Sequence, residues 1–144
     1  VVLVAVETGQ AVTAALWTRL TTDAALQTAL GGSVSLYRVM APQDPAMPYL
    51  VHRASFRGAF HDTHTYLLDV WDYAETPTRV DSAVERIRQL LHEWRFTTSA
   101  SEASGLLSWF SGGYIPTDAE QVWHYAMQYD VRLVAGQDIT AIVT

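Results

Sequence analysis

Between residues 78 and 94 the apolar side chains Val80, Val84, Ile87, Leu91 and Trp94 recur in steps of four, three, four and three, and Ala83 and Leu90 widen the stripe. Such steps draw one apolar stripe along a helix of 3.6 residues per turn. The opposite face carries Arg79, Asp81, Ser82, Glu85, Arg86, Arg88, Gln89, His92 and Glu93. A helix divided in this way must be covered on one side only. The segments around it alternate at the period of strands, so the pattern predicts a long amphipathic helix laid across a sheet. Glu75-Thr76-Pro77 supplies a start, with Thr76 as N-cap and Pro77 as the first helical residue.

Around this helix the chain orders itself simply. Residues 10–20, with Ala11, Ala14, Ala15, Leu16 and Trp17, read as a first helix after Gly9. Thr22-Asp23 caps a short helical turn over residues 24–30, which Gly31-Gly32 ends. Residues 34–39, 47–56, 65–73, 106–114 and 121–134 carry strand patterns, and Tyr49 and Val51 read as core. The strand at 65–73 has apolar residues on both faces, which predicts a central strand covered on both sides. Residues 41–45, 57–63 and 116–120 read as loops or turns, and Gly112-Gly113 as an interruption of its strand. Residues 97–105 hold mainly Ser, Thr and Gly and read as a mobile loop. The last strand puts Trp123, Tyr125, Met127, Tyr129, Val131 and Leu133 on one face and a half-wet set, from Val122 to Arg132, on the other. The expected class is α+β: one domain over residues 1–144, a mostly antiparallel sheet packed on the long helix, and an N-terminal helical segment. Residues 1–9 and the apolar tail 135–144 are expected to be extended or to reach another subunit.

Composition excludes several functions. With 49% apolar residues in 144 the chain can bury a full core without staples. No Cys is present, so there is no disulfide frame and no thiol nucleophile. The net charge is −6, and all nine basic residues are Arg; the absence of Lys and Asn points to a GC-rich or heat-adapted genome. An acidic chain is poorly suited to wrapping nucleic acid, which draws on phosphate neutralisation, but suits a surface that DNA slides past. The apolar run over residues 1–6 is too short to span a bilayer and lacks a basic flank, so a soluble, non-secreted protein is expected, and the missing Met points to processing.

Chemistry-bearing clusters are few. His61-Asp62-Thr63-His64 puts two imidazoles and a carboxylate within four residues, and His52 on the preceding strand could add a third nitrogen. Zinc needs three or four donors at defined spacing, so His61 and His64 alone are weak ligands and no metal or cofactor is expected. Asp69 and Asp72 fall on opposite faces of their strand and make no acid–base pair. Ser108 and Ser111 lack a His–Asp context, and no phosphate loop follows Gly31-Gly32. Arg53 with Arg57, and Arg86 with Arg88, could meet phosphate but read as solvated faces. Trp109, Phe110 and Tyr114 are either core or a subunit contact. Besides a structural protein, two readings stay open: a metal-dependent enzyme using His52, His61, Asp62 and His64, and a binding module that offers residues 106–114 as an edge.

The order of several short motifs resembles the phage tail terminator and tail-completion (tail-to-head joining) family. They are Asp23-Ala24-Ala25-Leu26, Leu30-Gly31-Gly32, Tyr37-Arg38-Val39, Met47-Pro48-Tyr49-Leu50-Val51, the strand 65–71, Leu90-Leu91-His92 and the closing strand 123–133. The resemblance implies a structural virion protein without catalytic residues. It implies a homo-oligomer, a hexameric ring, that caps the tail tube protein, stops its polymerisation and meets a head-completion or connector protein. DNA would pass the lumen without specific binding. Assembly would occur in the host cytoplasm, and the product would sit at the head-proximal end of the tail, away from membrane. Another neck or minor tail interaction protein is the alternative within this class. In such rings the loop between the second and third strands, here residues 57–64, is a contact element, which makes Arg57, Phe60 and His61 interface candidates beside Trp109, Phe110 and Tyr114.

Overall fold

The computed structural model describes residues 2–55, 63–97 and 104–134, with side chains over 12–55, 64–97 and 104–132. In order the elements are α1 (Val2–Thr21), α2 (Ala24–Ala29), β1 (Leu36–Arg38), β2 (Tyr49–Ser55), β3 (Thr63–Tyr73), α3 (Thr78–Leu91), β4 (Arg95–Thr97), β5 (Ser104–Ile115) and β6 (Val122–Val134). The strands form one six-stranded sheet in the order β1-β2-β3-β6-β5-β4, antiparallel except for β1 beside β2. The class is therefore α+β with a mostly antiparallel sheet. No helix among the described residues is long and apolar enough to cross a membrane.

Register divides the sheet into two unlike faces. Leu50 pairs with Val70 and Val70 with Tyr125, while Tyr66 pairs with Tyr129 and Tyr129 with Trp109, so these side chains share one face. That face is dry: Leu50, Tyr66, Leu68, Val70, Leu107, Met127, Tyr129 and Val131 are all buried. They form one cluster with Val12, Leu16 and Leu20 of α1, Leu26 of α2, Leu30, and Val80, Ala83, Val84, Ile87, Leu90 and Leu91 of α3. The four-residue steps in α1 and the 3–4 steps in α3 put these side chains on the inward stripe of each helix. Burial of each large one contributes ~1.5–3 kcal/mol.

Polar contacts fix the helices on that face. Asp23 caps α2 by accepting from Leu26 N–H at 2.8 Å, and it takes two hydrogen bonds from Arg86 of α3 at 2.8 and 2.9 Å. The Arg86 hydrogen bonds hold the Asp23 carboxyl below the usual carboxylate range. Arg79 grips buried Asp72 of β3 with Nε at 2.8 Å and Nη2 at 2.7 Å. Arg19 of α1 donates to Leu90 O at 2.9 Å and lies over the Trp94 ring.

Several sequence expectations shift. Helix α1 starts at Val2, not residue 10, so residues 2–9 are helical and not extended; Gly9 costs about 1 kcal/mol inside a helix but does not stop one. At 20 residues α1, and not the 14-residue α3, is the longest helix. Helix α3 ends at Leu91, short of Trp94, because His92 turns extended and Glu93 takes φ 58°. Its N-cap is Pro77, with no side-chain cap bond from Thr76. Trp94 still reaches the core margin, against Phe96 at 5.1 Å. The strand β4 carries too few residues to show a period, and only its pairing with Ser104, Gly105 and Leu106 defines it.

Strand β5 is continuous through Gly112-Gly113, and its irregularity lies between Trp109 and Ser111. Gly112 is needed for space: a Cβ there would stand 2.3 Å from Trp109 Cη2 and 3.1 Å from Tyr125 Cε1. Gly112→Ala should therefore destabilise by about 1–3 kcal/mol, since the Trp109 ring must leave its place under Arg88. Urea unfolding checks this, and a Gly112→Ala variant as stable as the parent would show that the ring can move freely.

Candidate assembly surface

Opposite the helices lies a sheet face that no described helix covers. On β3 the residues Thr65, Leu67, Asp69 and Trp71 are half-buried and Tyr73 is exposed, whereas their alternates from His64 to Asp72 are buried. The strand expected to be covered on both sides is thus central in the sheet but covered fully on one. An aromatic row crosses this open face where Tyr49 pairs with Trp71 and Trp71 with His124. The Trp71 and His124 rings stack at 3.8 Å, Tyr49 lies 6.2 Å from Trp71, and Tyr37 lies 6.0 Å from Tyr49. Asp69 fixes the His124 imidazole through Nε2 at 2.9 Å. Cross-strand aromatic contacts of this kind hold the register of β2, β3 and β6. Burial, then the neighbouring Tyr37, raises the Tyr49 hydroxyl pKa.

The loop 39–48 borders this row and leaves a cleft of about 420 Å³ between Met40, Pro42, Pro45, Tyr49 and Trp71. Val39 and Met40 are 60% and 73% exposed, and at the far rim Tyr73 and Ile115 are 58% and 46% exposed. An open sheet face with half-buried aromatics and an exposed apolar rim is the anatomy of a surface that another chain covers. Among the described residues no group of three or more metal-binding side chains occurs.

The predicted site residues scatter. Arg57, Phe60, His61 and Asp62 lie outside the described residues, as does the tail 135–144. His64 is buried on β3. His52 pairs with Leu68, four residues from His64, which puts the two imidazoles roughly 13 Å apart along the strands. They cannot share a metal. Trp109 faces the helices, edge-on to Tyr129 at 5.4 Å with Arg88 stacked 4.2 Å over it. Tyr114 donates to Asp81 of α3 and packs edge-on to Tyr125. Burial first, then that hydrogen bond, raises its pKa. Phe110, at the bulge, is 60% exposed. Of the four arginines read as possible phosphate contacts, Arg86 binds Asp23 and Arg88 covers Trp109. The row Tyr37, Tyr49, Trp71 and His124 escaped the sequence reading: alternation puts Leu67 and Trp71 on one face, but only strand register brings in Tyr49 and His124.

Buried His52 is a second feature that register reveals. Its Nδ1 meets the Tyr66 hydroxyl at 2.7 Å, and burial, helped by the charge of Arg38, lowers its pKa to about 4. The unfolded chain binds a proton near pH 6.5 that the folded chain refuses until about pH 4. The folded state is thus favoured above pH 6.5, and this contribution, on the order of 3 kcal/mol, fades as pH falls from 6.5 to 4. Stability measured against pH should lose about one proton of slope in His52→Asn over that window; an unchanged slope would refute the assignment.

The comparisons agree with this fold. A family model described as tail completion protein gp17 matches residues 14–133. A chain of the virion of a native gene transfer agent particle superposes with a TM-score of 0.68 at 14% identity, over 82% of this chain and 90% of that one. A second solved chain gives a TM-score of 0.56 at 16% identity, over 85% and 94%. No curated protein matches the chain. Since the family match runs from within α1 to the end of β6, taking in the helices, the aromatic row and the open face, the chain belongs to the tail completion protein gp17 family, structural proteins of the phage tail.

Proposed function

We propose that this chain is the subunit of a hexameric ring that caps the head-proximal end of the phage tail tube. There it stops tube polymerisation and joins the tube to a head-completion or connector protein. The observation that carries this reading is the family match over residues 14–133. The sheet supports it: one face is covered by helices, and the other keeps Tyr37, Trp71 and His124 half-buried around buried Tyr49, a surface that neighbouring subunits would cover. Phe110 on β5 is a contact residue in this reading, as are Trp109 and Tyr114 at the margin of α3, and Arg57, Phe60 and His61. A net charge of −6 per subunit would keep DNA moving through the lumen without specific binding.

Sedimentation or native mass measurement, on the protein alone and mixed with tail tubes, tests the ring. Six copies per assembly are expected in at least the mixed sample. A chain that stays monomeric in both would rule the ring out.

A further inference from the structure

The two ends of the sheet carry opposite charge that, among the described residues, has no ion-pair partner. At one end Arg95 of β4 and Arg132 of β6 both pair with Leu106 of β5, one from each side. The three side chains therefore share the helix-free face, with the two arginines about 10 Å apart across a half-buried leucine. Thr97 and Ser104, paired in the next register, add two hydroxyls to the same cleft of about 410 Å³. Both arginines are exposed, and among the described residues neither has an ion-pair partner.

At the other end the turn after β3 and the turn between β5 and β6 lie side by side, tied by Ala74 N–H to Gln121 O at 2.9 Å and by Trp123 Nε1–H to Ala74 O at 2.9 Å. This end exposes Glu75, Asp118 and Glu120, and among the described residues none of them meets a cation. The exposed Tyr73 and Ile115 stand beside them on the same face as Arg95 and Arg132. One end is thus a basic cleft around a leucine and the other an acidic rim around two apolar side chains. They are roughly 33 Å apart along β6, too far to meet within one chain.

We infer that these ends are partners between copies: the carboxylates of Glu75, Asp118 and Glu120 of one subunit dock on Arg95 and Arg132 of the next. The inference rests on the ring reading and names its subunit contact. Different patches meet, so the contact is heterologous and each copy uses each end once, as a closed ring requires. A chain of net charge −6 has few places where a second acidic copy can approach without repulsion, and this cleft is one. Both patches are exposed, so reversing their charge leaves the core intact.

The test uses two variants, Arg95→Glu/Arg132→Glu and Glu75→Arg/Asp118→Arg/Glu120→Arg, measured by sedimentation with tail tubes present. Each alone should need roughly a hundredfold higher concentration than the parent to assemble, because like charges now face each other. An equimolar mixture should assemble near the parental concentration, since alternating copies bring opposite charges together again. Recovery in the mixture supports the contact. A parent that assembles while either variant assembles equally well, or a mixture that fails to recover, overturns this contact and leaves the ring standing. A parent that never assembles overturns both.

Discussion

Replacing Ile87 with Ala should cost roughly 2–5 kcal/mol and lower the melting temperature by roughly 10 °C. Ile87 is fully buried at the middle of α3, inside the cluster that joins all three helices to the sheet. Truncation would remove three carbon atoms from a cluster of Leu, Val and Tyr side chains held by different elements, so the gap can close only partly. Thermal unfolding of the variant checks this. A loss below about 1 kcal/mol would mean that α3 does not seal the core where the register places it.

Arg79→Ala should cost about 3 kcal/mol. Asp72 is fully buried, and besides the two Arg79 bonds it accepts, among the described residues, only from Tyr73 N–H at 2.8 Å. Removing the guanidinium leaves a buried carboxylate with one donor, and that uncompensated charge is the main penalty. Because the Arg79 side chain is itself 38% exposed, water can enter part of the gap, which keeps the expected loss at the lower end for a broken buried pair. Adding Asp72→Asn to Arg79→Ala should recover part of the loss, since an amide can be buried without a countercharge. Urea unfolding of the parent and both variants would show this order. An Arg79→Ala/Asp72→Asn protein less stable than Arg79→Ala would contradict it.

Periodicity carried the elements further than the site. The one-sided stripe of α3 was legible because Val80, Val84, Ile87 and Leu91 share a single environment. The long strands were legible because β6 alternates over its whole length. What failed were features decided by tertiary pairing. No local pattern marks Arg95-Phe96-Thr97 as a strand, since β5 alone makes it one. Nothing near Gly112 in sequence says that the Trp109 ring occupies the space a Cβ would need. The end of α3 depends on Glu93 in a left-handed conformation that a charged residue seldom takes, so the stripe overran to Trp94.

The site was hidden for the same reason. His61 and His64 stand out in one dimension, yet register separates His64 from His52 by four residues of strand. Tyr49, Trp71 and His124 look unrelated in sequence and form one row because β2, β3 and β6 are neighbours. Charge behaved likewise: Glu75, Asp118 and Glu120 come from two turns that meet only when β3 and β6 pair. Family resemblance was legible earlier because it rests on motif order and does not need register.

Electron microscopy of tail tubes grown with and without the chain would show whether it caps them. With the chain present, tubes should stop growing and each should carry a single six-fold ring at one end. Tubes that keep growing at the same rate with the chain bound nowhere, or bound only along their sides, would contradict the account.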